Sequence, residues 1–258
     1  MTSRLSAITW NTFREAVRDR VLYNLVLFVL LLVASAPLFS QISIGLEKLM
    51  LVNVGLSSIS LFGVIIAIFL GIGMVSKEIE KKTLYTILSR PVRRWEFIAG
   101  KYLGLLLTLV VNAALMTVGF YAALLIFVHS LGRADALLLV AVYFIVLQFM
   151  MMVALTLLFS TFSSPIFSAI FAFALFVIGT FGEDLKNFAA MSQGATKWLA
   201  AAAAYVLPNF ASLNVIGQVA HEQGVSAHLV LFNTVYALLY SVAITAAAVL
   251  IFERRNLK

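Results

Sequence analysis

The chain contains no cysteine, so disulfides, thiolate nucleophiles and cysteine-ligated zinc or iron–sulfur sites are excluded. Charge is also scarce: only 11% of the 258 residues are Asp, Glu, Lys or Arg, against about 25% in a soluble domain. With 63% of the residues apolar, a chain of this size cannot bury all its apolar surface, and lipid must solvate part of it. Acids are the rarer charge, 11 against 18 basic residues, and Asp135, Glu183 and Asp184 fall at the ends of apolar runs. A proton relay needs acids or histidines inside the spans, so ion-coupled transport is disfavoured. A G-x-x-x-x-G-K-[ST] loop is missing, so any ATP hydrolysis must come from another chain. No Ser/His/Asp set stands out by spacing. His129, His221 and His228 make a poor metal set: position 225 is Val225 where a zinc-protease helix needs its second histidine. On a helix His221 and His228 would lie about 10 Å apart, too far for one ion.

What the chain has is long apolar runs. Val21 to Phe39, Val54 to Val75, Tyr102 to Val128, Ala136 to Phe162 and Leu229 to Phe252 are each long enough to cross roughly 30 Å of hydrocarbon, and Ile166 to Phe181 is a shorter sixth. Pro165 and the Ser160 to Ser164 cluster separate the fourth run from the fifth. The expected fold is therefore an all-α polytopic membrane protein, one domain over 1–258, with spans at 21–39, 54–75, 102–128, 136–162, 166–181 and 229–252.

The basic residues orient it. With both termini inside, the inner segments hold Arg4, Arg14, Arg18, Arg20, Lys77, Lys81, Lys82, Arg90, Arg93, Arg94, Lys101, Arg254, Arg255 and Lys258, while the outer ones hold only Lys48, Arg133, Lys186 and Lys197. The positive-inside rule reads this bias as inner termini, and removing the fifth span would put the basic C-terminus outside. The first run exceeds the 7 to 15 residues of a signal-peptide core, and Pro37 would directly follow a cut after Ala34-Ser35-Ala36.

Residues 1–20 read as an interfacial amphipathic helix, with Leu5, Trp10, Phe13, Ala16 and Val17 on one face and Arg4, Arg14, Glu15 and Arg18 on the other. The outer segment 182–228 is too long for a simple connection. Within it Trp198 to Leu207 is too short to span, so a re-entrant or interfacial helix stopped by Pro208 is expected.

Inside the spans, Asn112 and Gln148 must find partners, as interhelical hydrogen bonds or as candidate pathway residues. Gly71-Ile72-Gly73 lacks the third glycine and preceding strand of a nucleotide fingerprint and fits close helix packing. Met150, Met151 and Met152 point about 100° apart on a helix and cannot converge on one ion unaided; packing is expected.

The inner loop 77–101 concentrates Lys77, Lys81, Lys82, Arg90, Arg93, Arg94 and Lys101 with Glu78, Glu80 and Glu96. Ile79 to Leu88 can form a short helix with Leu84, Ile87 and Leu88 at i, i+3 and i+4; Arg90-Pro91 breaks it, and a second helix starts near Arg94. Such a loop serves either as a topology anchor or as a docking surface. Lys77-Glu78-Ile79-Glu80-Lys81-Lys82-Thr83-Leu84, Leu88-Ser89-Arg90-Pro91-Val92-Arg93-Arg94, Phe97 and Gly100-Lys101-Tyr102-Leu103-Gly104 resemble the first cytoplasmic loop of ABC type-2 permeases, the membrane subunits of ATP-binding-cassette transporters. The flavour is that of the branch that includes the permease of the nitrous-oxide-reductase maturation system. Leu207-Pro208-Asn209-Phe210 and Asn214 are similar to the family's outer segment.

The resemblance implies a non-catalytic permease of an exporter in a bacterial inner membrane, with both termini cytoplasmic. Glu78 to Ser89 would be its coupling helix, and the ATPase-coupling residues would be Glu78, Ile79, Glu80, Thr83, Leu84, Ile87, Leu88, Arg90, Pro91, Arg93 and Arg94. It implies two cytoplasmic ATPase subunits carrying ATP and Mg, a second permease copy or paralogue, surrounding lipid and an outer-side accessory protein. It implies no cofactor on this chain and no nucleic acid. The alternative is a membrane anchor or scaffold that recruits a cytoplasmic partner through 77–101 without transport.

Overall fold

The computed structural model describes residues 2–18, 28, 47–80, 93–128 and 132–254, and among these all regular structure is helical. The helices are α1 (Thr2–Arg18), α2 (Glu47–Glu80), α3 (Arg94–Val128), α4 (Leu137–Phe162), α5 (Pro165–Thr180), α6 (Gly182–Met191), α7 (Gly194–Val206), α8 (Ile216–Ala220) and α9 (Ala227–Arg254). Short 3₁₀ turns occupy Arg133–Ala136 and Ala211–Leu213. The expected span 21–39 lies outside the described residues apart from Phe28.

The most apolar of the long helices is also the most central. α4 packs against α2, α3, α5 and α9, and Phe144, Phe149, Met151, Met152, Val153 and Leu157 are all buried. A helix apolar on every side has no face to spend on water, so it takes the middle of the bundle. The methionines accordingly serve as core packing.

Glycines decide how closely α2 approaches its neighbours. Gly55, Gly63 and Gly71 recur at eight-residue intervals, and a Cβ built at each would strike Phe120, Phe149 and Thr156 respectively. Eight residues advance a helix face by about 80°, so this track swings from α3, which carries Phe120, to α4, which carries the other two. Close packing of this kind is the expected role of Gly71.

The connectivity counts the crossings. Arg94 at the start of α3 meets Glu253 at the end of α9, which fixes one end of the bundle, here called the basic end. At the opposite end Lys48, near the start of α2, reaches Asp135 between α3 and α4 at 2.8 Å and Glu222 just before α9 at 3.0 Å. Because α3 leaves the basic end, α4 returns to it and α9 returns to it again, α5 must carry the chain across. Pro165 at its first turn has a fixed φ suited to a helix start.

α5 matches the expected 166–181 span, but it does not end the segment. α6, which the apolar pattern did not announce, follows after a 59° bend and forms a hairpin with α7. The returning chain docks where it left: the Phe210 N–H donates to the Gly179 carbonyl at 2.9 Å, and the Asn209 N–H to the Tyr236 hydroxyl at 2.9 Å. α7 starts at Gly194, earlier than the expected Trp198, and ends at Val206, with Leu207 extended as the residue before Pro208 must be. The stretch from Gly194 to Ala220 thus begins and ends in the half of the bundle away from the basic end and is not a crossing.

Lys48 clasps three segments at that end. Asp135 is only 6% exposed, and its second oxygen also accepts the Gly132 N–H at 2.7 Å. Lys48→Met would leave this carboxylate without its cation, and because Lys48 is one-third exposed the expected cost is about 1–3 kcal/mol, less than for a fully buried pair. Unfolding titrations in detergent should show Lys48→Met/Asp135→Ala losing less than the sum of the two single changes; strict additivity would dissolve the clasp.

Candidate functional site

The expected coupling loop is entered and left by rigid helix. α2 runs unbroken beyond the apolar run to Glu80, so Glu78, Ile79 and Glu80 continue the spanning helix. Thr83, Leu84, Ile87, Leu88, Arg90 and Pro91 lie outside the described residues. The second helix starts at Arg94, as expected.

That start is secured locally. The Glu96 carboxylate reaches back to accept the Arg93 backbone N–H at 3.0 Å, which is the acidic half of a capping box and suits the positive end of the helix dipole. Glu96 is buried, and the Arg93 side chain is exposed.

Arg94, by contrast, turns back onto the chain. Its guanidinium donates to the last carbonyls of α9, Phe252 at 3.0 Å and Glu253 at 2.8 Å, and lies 5.9 Å from the centre of the Phe252 ring. A cation on the unsatisfied carbonyls of a helix C-terminus is favourable on both hydrogen-bond and dipole grounds. One turn further, Phe97 stacks on Phe252 at 5.8 Å, and both belong to a small apolar cluster with Ile98 and Ala248.

The other side of the same turn holds α1. Lys101, 3% exposed, lies 3.8 Å from Glu15 and 5.7 Å from the centre of the Phe97 ring. A Cβ on Gly100 would meet Ile8, and one on Gly104 would come within 2.6 Å of the Thr12 Cβ and 2.7 Å of the Thr9 carbonyl oxygen. Glycines four residues apart let two helix backbones approach closely. α1 is therefore docked on α3 along Ile8, Thr9, Thr12 and Ala16, while Trp10 and Val17 remain exposed. The amphipathic helix expected over residues 1–20 thus has a protein contact on α3 as well as an exposed apolar face. Thr9 and Thr12 escape the apolar pattern because a threonine adds little hydrophobic signal even where it packs against a glycine.

The two mid-span polar residues do not meet in one site. Gln148 accepts a hydrogen bond from the Ser60 hydroxyl at 3.2 Å. It also faces a cleft of about 190 Å³ between α2, α4 and α5, lined by Ser57, Ser60, Thr180 and Asn214 among apolar neighbours that include Phe210. Gln148 thus makes an interhelical hydrogen bond and forms part of the wall of a polar cleft. Asn112 does not line that cleft; it is 1% exposed and neither side-chain polar atom has a partner among the described residues. Of the histidines, His228 stacks on Phe232 at 6.4 Å, and His129 lies outside the described residues.

These features belong to a multi-pass helical membrane protein. The model of the ABC-2 family transporter protein matches residues 6–257, so the chain belongs to the ABC-2 family of transporter membrane proteins. A search of curated proteins returns no match. Family membership makes it a membrane component of an ABC transporter, a class that works with cytoplasmic ATPase partners. The narrower nitrous-oxide-reductase maturation branch is not distinguished by this match.

Proposed function

We propose that the chain is the permease subunit of an ATP-driven exporter in a bacterial inner membrane, with the basic end cytoplasmic, and that two ATPase subunits carrying ATP and Mg act on two membrane subunits through the loop between α2 and α3. The observation that carries this reading is the convergence of α1, α3 and α9 at the loop's exit: Arg94 holds the carbonyls of α9, and Lys101 and Gly104 hold α1. A displacement of the loop is then delivered to three helices at once, the kind of rigid-body switching that alternating access requires. Glu78, Ile79 and Glu80 continue α2 without a break, which gives the loop a second rigid lever. The cleft beside Gln148 and Ser60 lies in the half of the bundle away from the basic end and would offer a polar wall for cargo leaving on that side.

The test is affinity purification of the tagged chain from its native membrane in mild detergent, with mass spectrometry of partners and an ATPase assay on the eluate. A stoichiometric Walker-A protein is expected, lost when residues 79–88 are deleted and uncoupled by Glu80→Lys while membrane insertion survives. Recovery of the chain alone, or with a partner that lacks ATPase activity, would overturn the permease reading in favour of a scaffold.

A further inference from the structure

The α6–α7 hairpin has a feature that the coupling reading does not use. Between its two helices lies a groove of about 380 Å³ floored by Ala189, Ala190, Ala201 and Ala204, with Lys186, Lys197 and Tyr205 on its walls. The alanines make a trough because a methyl group leaves the space that a longer side chain would fill. Neither Lys186 nor Lys197 makes an ion pair among the described residues, although Glu183 stands one turn from Lys186. Around the groove the hairpin exposes a belt of large apolar side chains: Phe188 at 55%, Met191 at 84%, Trp198 at 78% and Leu199 at 72%. Water would penalise such a belt, whereas lipid would not.

The bend places this hairpin at a definite depth. The 16 residues of α5 rise about 24 Å, and the 10 residues of α6, tilted by 59°, add about 8 Å, so the tip lies about 32 Å from the basic end of α5, close to the hydrocarbon thickness of a bilayer. With α5 along the bilayer normal, the two lysines sit near headgroup level on the side away from the basic end, beside a groove of about 380 Å³. Trp198 and Tyr205 are the residue types that anchor at this level.

We infer that the groove between α6 and α7 is a binding site for one anionic phospholipid of that leaflet, its acyl chain along Ala189, Ala190, Ala201 and Ala204 and its phosphate at Lys186 and Lys197. The inference needs only the membrane setting and stands independently of ATPase coupling. A basic residue at an anionic membrane surface changes partitioning about five-fold, so two lysines should give a preference on the order of ten-fold or more for an anionic over a zwitterionic lipid.

The test uses the full chain carrying Trp10→Phe and Trp95→Phe, which leaves Trp198 as the reporter, reconstituted in vesicles of dioleoyl-phosphatidylcholine containing small fractions of brominated phosphatidylglycerol or brominated phosphatidylcholine. Brominated phosphatidylglycerol should quench Trp198 at roughly a tenth of the mole fraction needed with brominated phosphatidylcholine. Lys186→Gln/Lys197→Gln should remove that difference while keeping the phosphatidylcholine quenching, which reports that the hairpin is still folded in the membrane. Equal quenching by the two lipids in the parent chain, a preference that survives the double substitution, or no quenching by either would each overturn the proposal.

Discussion

Gly63→Leu is expected to cost more than about 3 kcal/mol of stability in detergent, above the usual range for an overpacked core. The reason is positional. The Phe149 ring, itself 1% exposed, occupies the space a Cβ at position 63 would need, so the ring must leave its site before any side chain can enter. α4 is the helix on which the others pack, and a shift there is felt along α2, α3, α5 and α9. The check is a double substitution measured by unfolding titration. Phe149→Ala alone opens a cavity and should itself cost about 3–5 kcal/mol, yet Gly63→Leu/Phe149→Ala should be more stable than the sum of the two losses predicts by roughly 1–3 kcal/mol, because the leucine fills part of the vacated volume. A double variant as poor as the sum would mean that Gly63 and Phe149 do not share one space.

The spacing of Gly55, Gly63 and Gly71 marks the limit of what the sequence makes legible. Apolar runs suffice for the order of the long described helices, since hydropathy acts residue by residue, although α2 and α3 begin well before the apolar runs that announce them. The start of α3 at Arg94 and the stop of α7 before Pro208 are likewise local. What is not local escapes. A glycine reveals that something comes close, but whether Phe120, Phe149 or Thr156 fills the gap depends on how α2 is rotated against α3 and α4. Arg94 reads as one more cation of a basic loop, and nothing near it in sequence points to the carbonyls of Phe252 and Glu253, more than 150 residues away. α6 is missed because its ten residues mix Glu183, Asp184 and Lys186 with apolar ones and have no mean hydropathy to announce them. Gln148 is visible as a polar residue in a span, whereas its partner Ser60 is one of several serines in α2 and only the packing selects it.

Gly104→Leu should detach α1 while leaving the rest of the bundle folded. A side chain at position 104 would run into the Thr12 side chain and the Thr9 carbonyl, and a backbone atom cannot swing aside as a flexible side chain can. The strain can be relieved only by lifting α1 from α3, which also removes the Ile8 contact at Gly100 and draws Glu15 away from Lys101. α3 keeps its contacts with α2, α4 and α9 because those use its other faces. Amide exchange in residues 2–18 should therefore accelerate about ten- to hundred-fold, equivalent to roughly 1–3 kcal/mol of lost docking, while exchange in α4 stays unchanged. Gly104→Ala should give a smaller effect of the same kind, since one methyl group demands less separation than an isobutyl group. If the bundle transmits motion through the junction of α1, α3 and α9, Gly104→Leu should also lower partner-stimulated ATP hydrolysis at unchanged partner binding. Unaltered exchange in α1 would show that the helix is held by something other than the glycine contact; faster exchange throughout α4 would show that α1 is part of the core rather than a helix clipped onto it.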